Sequence, residues 1–174
     1  APSARQFRAP ADAPTTTGAE RAAEILGFEG SDFVFEGSME GGVEAALPAF
    51  SEMADALREG GATARTHPLV VKMDEIAPDY DQAARDIAAQ LNTGVSGVMF
   101  VKVESAEEAA AGIAAMRFEE HGGTRPNDVG NAPAYWGVSE EEYRQKADLW
   151  PLNPDGELVN WTIVESEEGL ANVR

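Results

Sequence analysis

The sequence predicts an α/β fold in which parallel β-strands alternate with helices. Short apolar runs typical of buried strands recur along the chain, and the segments between them carry apolar residues at helical spacing. The connections are long enough for the right-handed crossovers of parallel βαβ units. In addition, Val103-Glu104-Ser105 recurs as Val164-Glu165-Ser166, so that a carboxylate follows a strand both times.

The elements follow from local patterns. The helix between the first two strands is predicted from apolar residues spaced between Leu47 and Leu57. Most other helices are predicted from a Ser, Thr or Asp that can cap the first turn, with Glu or Gln three residues later. These caps are Thr17, Asp79, Ser105 and Ser139, and Ser166 is predicted to begin a last helix. The predicted strands are residues 32–35, 69–73, 95–101 and 158–164.

The chain is predicted to form one domain over residues 17–174, preceded by an irregular arm over residues 1–16 that is rich in Ala, Pro and Thr. Within the domain, residues 117–157 form a long connection that contains several Gly and Pro residues. A chain of 174 residues is short for a closed β/α barrel, which takes about 250 residues. An incomplete barrel and an open four-stranded sheet therefore both fit the pattern.

The composition excludes several classes of function. The formal net charge is −18, from 31 acidic residues against 13 Lys and Arg, so a phosphate backbone is repelled and nucleic-acid binding is not expected. The absence of cysteine excludes disulfides, thiolate metal sites and a catalytic cysteine. No apolar run approaches the roughly 18 residues of a membrane span. No intact signal peptide is recognisable, so a cytoplasmic protein is expected, while the first residues are also compatible with a processed or trimmed end.

From Asp32 onward, a series of motifs resembles the HpcH/HpaI aldolase/citrate lyase family in order and spacing. The resemblance implies a (β/α)8 TIM-barrel-like fold, present here as an incomplete barrel of about four to five parallel strands with helices. The motifs are Asp32-Phe33-Val34-Phe35 with Met39-Glu40-Gly41-Gly42, Val70-Val71-Lys72, residues 94–101 with 104–108, Gly122-Gly123-Thr124-Arg125-Pro126 with Trp136, and residues 163–169.

The resemblance implies a lyase of the pyruvate-dependent class II aldolase type. Such enzymes bind pyruvate through a divalent metal, usually Mg or Mn, and cleave or form 4-hydroxy-2-oxo acids through the pyruvate enolate. The implied partners are thus pyruvate, an aldehyde and further copies of the chain in a homo-oligomer. The enolate oxygen needs a cation beside it, which a hard metal held by carboxylates supplies.

Four residues match functional positions of the family. Glu165 stands where the family has a metal ligand, at the end of a strand. Lys72 stands where the family has the Arg that stabilises the enolate, and Glu40 aligns with an acid of the site, so both are predicted to be catalytic. Arg125 is predicted to bind the substrate carboxylate, because a guanidinium group matches a carboxylate with two parallel hydrogen bonds.

Each candidate also has a purely structural interpretation. Glu165 can serve only the helix that follows it, Lys72 can form an ordinary ion pair with Asp74 or Glu75, and Arg125 can balance loop acids.

Two parts of the family's site are not recognisable. Gly41 stands where the family has a proton-transferring histidine, and the family's Asp ligand from the next strand has no match up to Arg174. A Mg or Mn site normally has more than one protein oxygen ligand. The alternative function is therefore a catalytically degenerate or truncated aldolase-like subunit with a binding or structural role.

Overall fold

A sheet of four parallel strands runs through the molecule, and the strands lie side by side in chain order. The computed structural model describes residues 16–28 and 32–173. Each strand overlaps one of the predicted apolar runs, so the four strand predictions are confirmed. The arm predicted for residues 1–16 falls, except for Thr16, outside the described residues. The strands are β1 (Val34–Glu36), β2 (Leu69–Lys72), β3 (Gly97–Phe100) and β4 (Val159–Thr162).

The helices begin where their caps predict. Thr17, Asp79, Ser105, Ser139 and Ser166 each accept a hydrogen bond from the amide three residues later, which satisfies a donor that the first helical turn leaves unpaired. The helices are α1 (Gly18–Ile25), α2 (Val43–Glu59), α3 (Tyr80–Leu91), α4 (Ala106–Met116), α5 (Ala132–Trp136), α6 (Glu140–Lys146) and α7 (Glu167–Asn172), with 3₁₀ turns at Ser38–Gly41 and Glu119–His121.

The order of the strands distinguishes between the two architectures that the sequence left open. Consecutive strands are neighbours, so every crossover moves in the same direction, and right-handed crossovers then place the helices on one face of the sheet. A doubly wound open sheet would instead reverse its strand order. The buried core agrees with helices on one face, because Leu69, Val71, Val98 and Phe100 are all fully buried in it. The arrangement is that of a segment of a β/α barrel.

The opposite face of the sheet, called here the inner face, is less covered. Residues two apart along a strand point to the same face, so the register defines two rows across it. Phe35 and Val159, at the two ends of the first row, are 45% and 37% exposed. The first row is Phe35, Val70, Gly97 and Val159, and the second row is Lys72, Met99 and Trp161.

The long connection over residues 117–157 packs at the amino edge of the sheet, where the strands begin. Trp136 Nε1 donates a hydrogen bond to the carbonyl of Gly94, just before β3, at 3.0 Å. The Tyr135 hydroxyl donates to the carbonyl of His67, just before β2, at 2.8 Å. Both aromatic side chains belong to α5, a helix of five residues that the sequence patterns did not predict.

Candidate functional site at the carboxyl edge

Charged side chains gather at the carboxyl edge of the sheet, where the strands end. Lys72 is the last residue of β2, Lys102 follows β3 by two residues, and Glu165 follows β4 by three. Glu40 lies in the 3₁₀ turn after β1. Since the carboxyl ends of parallel strands meet at one edge, the structure brings three of the four predicted site residues, Lys72, Glu40 and Glu165, to the edge that carries the chemistry in β/α barrels.

Lys72 and Glu40 form an ion pair. The Lys72 ammonium lies 2.8 Å from Glu40 Oε1, and the side chains are 22% and 47% exposed. The structural interpretation had paired Lys72 with Asp74 or Glu75, whereas the structure pairs it with Glu40. The Gly-rich turn after β1 therefore carries an acid to the end of β2, and the lysine is held at the second row of the inner face.

Glu165 is held by the backbone of the segment that follows β3. Its Oε1 accepts a hydrogen bond from the amide of Lys102 at 3.2 Å. The Lys102 ammonium in turn binds both carboxylate oxygens of Glu75, at 3.3 and 3.2 Å. Hydrogen bonding to Glu75 and the negative charges of Glu75 and Glu104 raise the pKa of Lys102, so this side chain stays a cation.

Lys102 is a site residue that the sequence patterns missed. The motif Val-Lys-Val-Glu-Ser drew attention to its glutamate, Glu104, whose amide in fact donates to Glu108 Oε2 at 2.9 Å within the start of α4. The available signal was the position of a lysine just past the end of a strand, which is the same signal that singled out Lys72.

Glu36, at the end of β1, is an acid with a structural role. It is buried, and its carboxylate accepts hydrogen bonds from Arg21 of α1 and from the amide of Ser38 at 2.8 Å. Burial alone would raise the pKa of Glu36, but the bonds from Ser38 and Arg21 outweigh burial and lower it. Glu36 therefore stays ionised and anchors α1 to the sheet.

The described residues do not form a complete site for a divalent metal. No group of three or more Asp, Glu, His or Cys side chains within residues 16–28 and 32–173 is arranged to hold an ion. The Glu165 carboxylate is bonded by an N–H donor, the Lys102 amide, rather than joined by a second oxygen ligand, and a Mg or Mn ion normally takes more than one protein oxygen. Glu165 alone does not fit the metal site that the family resemblance implied.

Arg125 does not lie at this edge. It is 1% exposed, its Nη2 donates to Asn92 Oδ1 at 3.1 Å and to the Tyr143 hydroxyl at 3.0 Å, and its guanidinium covers the Phe118 ring at 4.4 Å. Asn92 follows the carboxyl end of α3, which places Arg125 at the amino edge. The structure therefore does not bring Arg125 together with Lys72 and Glu165, and we leave it out of the proposed site.

An ion pair with a buried acid fixes the long connection at the same amino edge. Arg117 Nε and Nη2 lie 2.5 and 3.0 Å from the two oxygens of Asp148, whose side chain is 1% exposed. Burial would raise the pKa of Asp148, but hydrogen bonds from Arg117 and the amide of Leu149 lower it. His121 packs beside this pair and bonds the Arg144 carbonyl at 2.9 Å. Both histidines of the chain, His67 and His121, thus lie away from the carboxyl edge.

The fold has a counterpart among solved structures. The chain is similar to an HpcH/HpaI aldolase/citrate lyase family protein from Burkholderia cenocepacia J2315, with a TM-score of 0.60 and 18% sequence identity over 89% of this chain and 54% of that chain. The fold is that of a partial β/α barrel. The chain spans about half the length of this neighbour, and at this identity the likeness establishes the fold alone.

The other comparisons add no relative. No protein-family model matches the sequence, and no curated protein matches it. Within the described ranges, no helix combines the length and the apolar character that crossing a membrane requires.

Proposed function

We propose that this chain supplies the enolate-handling edge of a lyase that cleaves, or in reverse forms, 4-hydroxy-2-oxo acids. The observation that carries the proposal is the Lys72 ammonium, held 2.8 Å from Glu40 at the carboxyl end of β2. The likeness of the fold to an aldolase/citrate lyase family protein supports the same reaction class.

The reaction explains why a fixed cation is useful there. In cleavage, a base takes the proton of the C4 hydroxyl, the C3–C4 bond breaks, and the aldehyde leaves. The bonding electrons pass into the pyruvate enolate, whose oxygen carries the negative charge until C3 takes up a proton. A cation positioned beside that oxygen lowers the barrier because the charge develops in the transition state. Lys72 would act as a point charge, without the two-pronged geometry of an arginine.

Glu40 and Glu165 have separate parts in this proposal. Glu40 would orient Lys72 through their ion pair. Glu165 would present a carboxylate at the same edge, as one ligand of a divalent Mg or Mn ion when further oxygen donors join it. Because the described residues do not complete such a site, no step of the reaction is assigned to the metal. The proposed small-molecule partners are pyruvate, as product or substrate, and an aldehyde.

The incomplete divalent-metal site among the described residues favours a second candidate function. A catalytically degenerate aldolase-like subunit would keep the barrel segment and its ion pairs while it binds or supports another component. This candidate predicts no turnover, and the assay below distinguishes it from the lyase.

The test is release of pyruvate from a 4-hydroxy-2-oxo acid, measured with and without added Mn²⁺. Lys72→Met is expected to lower kcat/KM by about a hundredfold, as removal of one charge-stabilising group does in other enzymes. The matched control is Lys146→Met, because Lys146 also pairs with acids but lies in α6, away from the carboxyl edge. Equal activity of the Lys72→Met variant and the wild type would overturn the role of Lys72. A wild type that releases no pyruvate would favour the inactive subunit.

We further propose that the chain associates with copies of itself. The support is the inner face, where Phe35 and Val159 remain 45% and 37% exposed, since exposed apolar rows and unpaired strand edges promote association. Sedimentation velocity measures the state directly: an oligomer that Phe35→Ser weakens is expected, and a monomer at all concentrations contradicts the proposal.

A further inference from the structure

The backbone at Lys102 adopts an unusual conformation. Its φ is +48°, and it is the one non-glycine residue with positive φ among residues 16–28 and 32–173. This conformation is strained for an L-residue, so it persists only where the surroundings hold it. Residues held in this way cluster at functional sites, and Lys102 lies at the carboxyl edge, where the candidate site is.

Three contacts hold the segment. The Lys102 amide donates to Glu165 Oε1 at 3.2 Å. The Lys102 ammonium binds the Glu75 carboxylate at 3.2 Å. The next amide, of Val103, donates to the carbonyl of Ile163 at 3.2 Å, which continues the pairing beyond β3 and β4. The segment after β3 is therefore tied on one side to the loop after β2 and on the other to the residues after β4.

We propose that Lys102 is a positioning residue whose left-handed backbone turns its amide onto the Glu165 carboxylate and fixes that acid at the carboxyl edge. The contact uses Oε1, and among residues 16–28 and 32–173 no residue donates a hydrogen bond to Oε2. The use of Glu165 in a reaction rests on the proposed function, whereas the positioning of its side chain does not.

The backbone amide and the ammonium group of Lys102 have separate contacts. Glu75 engages the ammonium, so the amide, which every residue except proline carries, provides the contact with Glu165. Replacements that tolerate positive φ should therefore preserve the contact with Glu165, and replacements that do not should lose it. Asparagine adopts this conformation several-fold more readily than most residues, whereas β-branched valine rarely does.

Hydrogen exchange of single amides, measured by NMR, tests the contact. In Glu165→Ala, exchange of the Lys102 amide is expected to accelerate by about tenfold or more, the loss that follows removal of a hydrogen bond to a charged acceptor. The Val103 amide, which is bonded to Ile163, is the internal control and is expected to keep its rate. Equal exchange of the Lys102 amide in the wild type and in Glu165→Ala would overturn the proposal.

Two variants of Lys102 extend the test to the backbone. Lys102→Asn is expected to keep the protection of the amide at position 102, and Lys102→Val is expected to lose it by about tenfold or more. Loss of this protection in Lys102→Asn as well would overturn the backbone role. If circular dichroism shows that Lys102→Val does not fold, the exchange rates in the exposed substitution Glu165→Ala and in Lys102→Asn still test the proposal. A wild type without pyruvate release would refute the lyase proposal, while the exchange rates would decide the positioning role independently.

Discussion

The acids that pair at the two edges of the sheet differ in burial, apart from Glu36, which is buried at the carboxyl end of β1 and pairs with Arg21. At the amino edge, Asp148 is 1% exposed and pairs with Arg117, which is 19% exposed, and Arg125 is enclosed by aromatic rings. At the carboxyl edge, the Lys72–Glu40 and Lys102–Glu75 pairs remain partly open to solvent. Exposed ion pairs contribute about 0–1 kcal/mol to stability, whereas removal of one partner from a buried pair costs several times more. The difference indicates that Asp148 and Arg125 at the amino edge maintain the fold, whereas the role of the carboxyl edge in chemistry is our proposal.

The largest expected effect is at Asp148. Asp148→Ala should lower the free energy of unfolding by about 3–5 kcal/mol, because it removes a buried carboxylate that accepts hydrogen bonds from Arg117 and from the amide of Leu149. Urea denaturation measures the loss, with the exposed Asp155→Ala as the matched control. A change below about 1 kcal/mol would show that the two edges do not differ as described.

Arg125 gives the next largest effect and tests its assignment to the fold. Arg125→Ala empties a fully buried site and removes donors to Asn92 and Tyr143, so a loss of about 2–4 kcal/mol is expected. The folded fraction of the variant should keep the KM of the wild type for the 2-oxo acid. A raised KM with little loss of stability would support the prediction that Arg125 binds the substrate.

Acid should destabilise the protein through its buried carboxylates. The pKa values of Glu36 and Asp148 are lowered in the folded state. Their stabilising contribution is therefore fully present above their pKa values in the unfolded state, about 4. The contribution is lost as the pH falls through the folded values. The free energy of unfolding should thus decrease below about pH 4, and Asp148→Asn should flatten that slope. An unchanged slope in this variant would contradict the assignment.

The smallest expected effect is at the carboxyl edge. Glu40→Gln removes a pair in which the acid is 47% exposed, so the free energy of unfolding should change by at most about 1 kcal/mol. The same variant should reduce pyruvate release, since Lys72 loses its orienting partner. A large loss of stability would mean that this pair, too, belongs to the framework.

Local patterns in the sequence predicted most of the fold but only part of the site. The strands and the caps at Thr17, Asp79 and Ser105 depend on neighbouring residues, so periodicity and capping chemistry find them. Arg125 meets Asn92 and Tyr143 only through tertiary packing, at sequence separations of 33 and 18, which no local pattern encodes.

Two other features of the molecule could not be predicted from local sequence patterns. The positive φ of Lys102 is unpredictable from residue type, because lysine rarely adopts it. The helix α5 has five residues and is stabilised by Tyr135 and Trp136 reaching the loops before β2 and β3, contacts that are absent from the local sequence.

The most direct test compares Lys72→Met with the wild type in two measurements on the same samples, urea denaturation and pyruvate release from a 4-hydroxy-2-oxo acid. If the carboxyl edge serves chemistry rather than stability, the free energy of unfolding changes only by what an exposed ion pair contributes, about 1 kcal/mol or less. In the same variant, kcat/KM falls by about a hundredfold. A variant that unfolds more easily yet releases pyruvate as fast as the wild type would contradict this account.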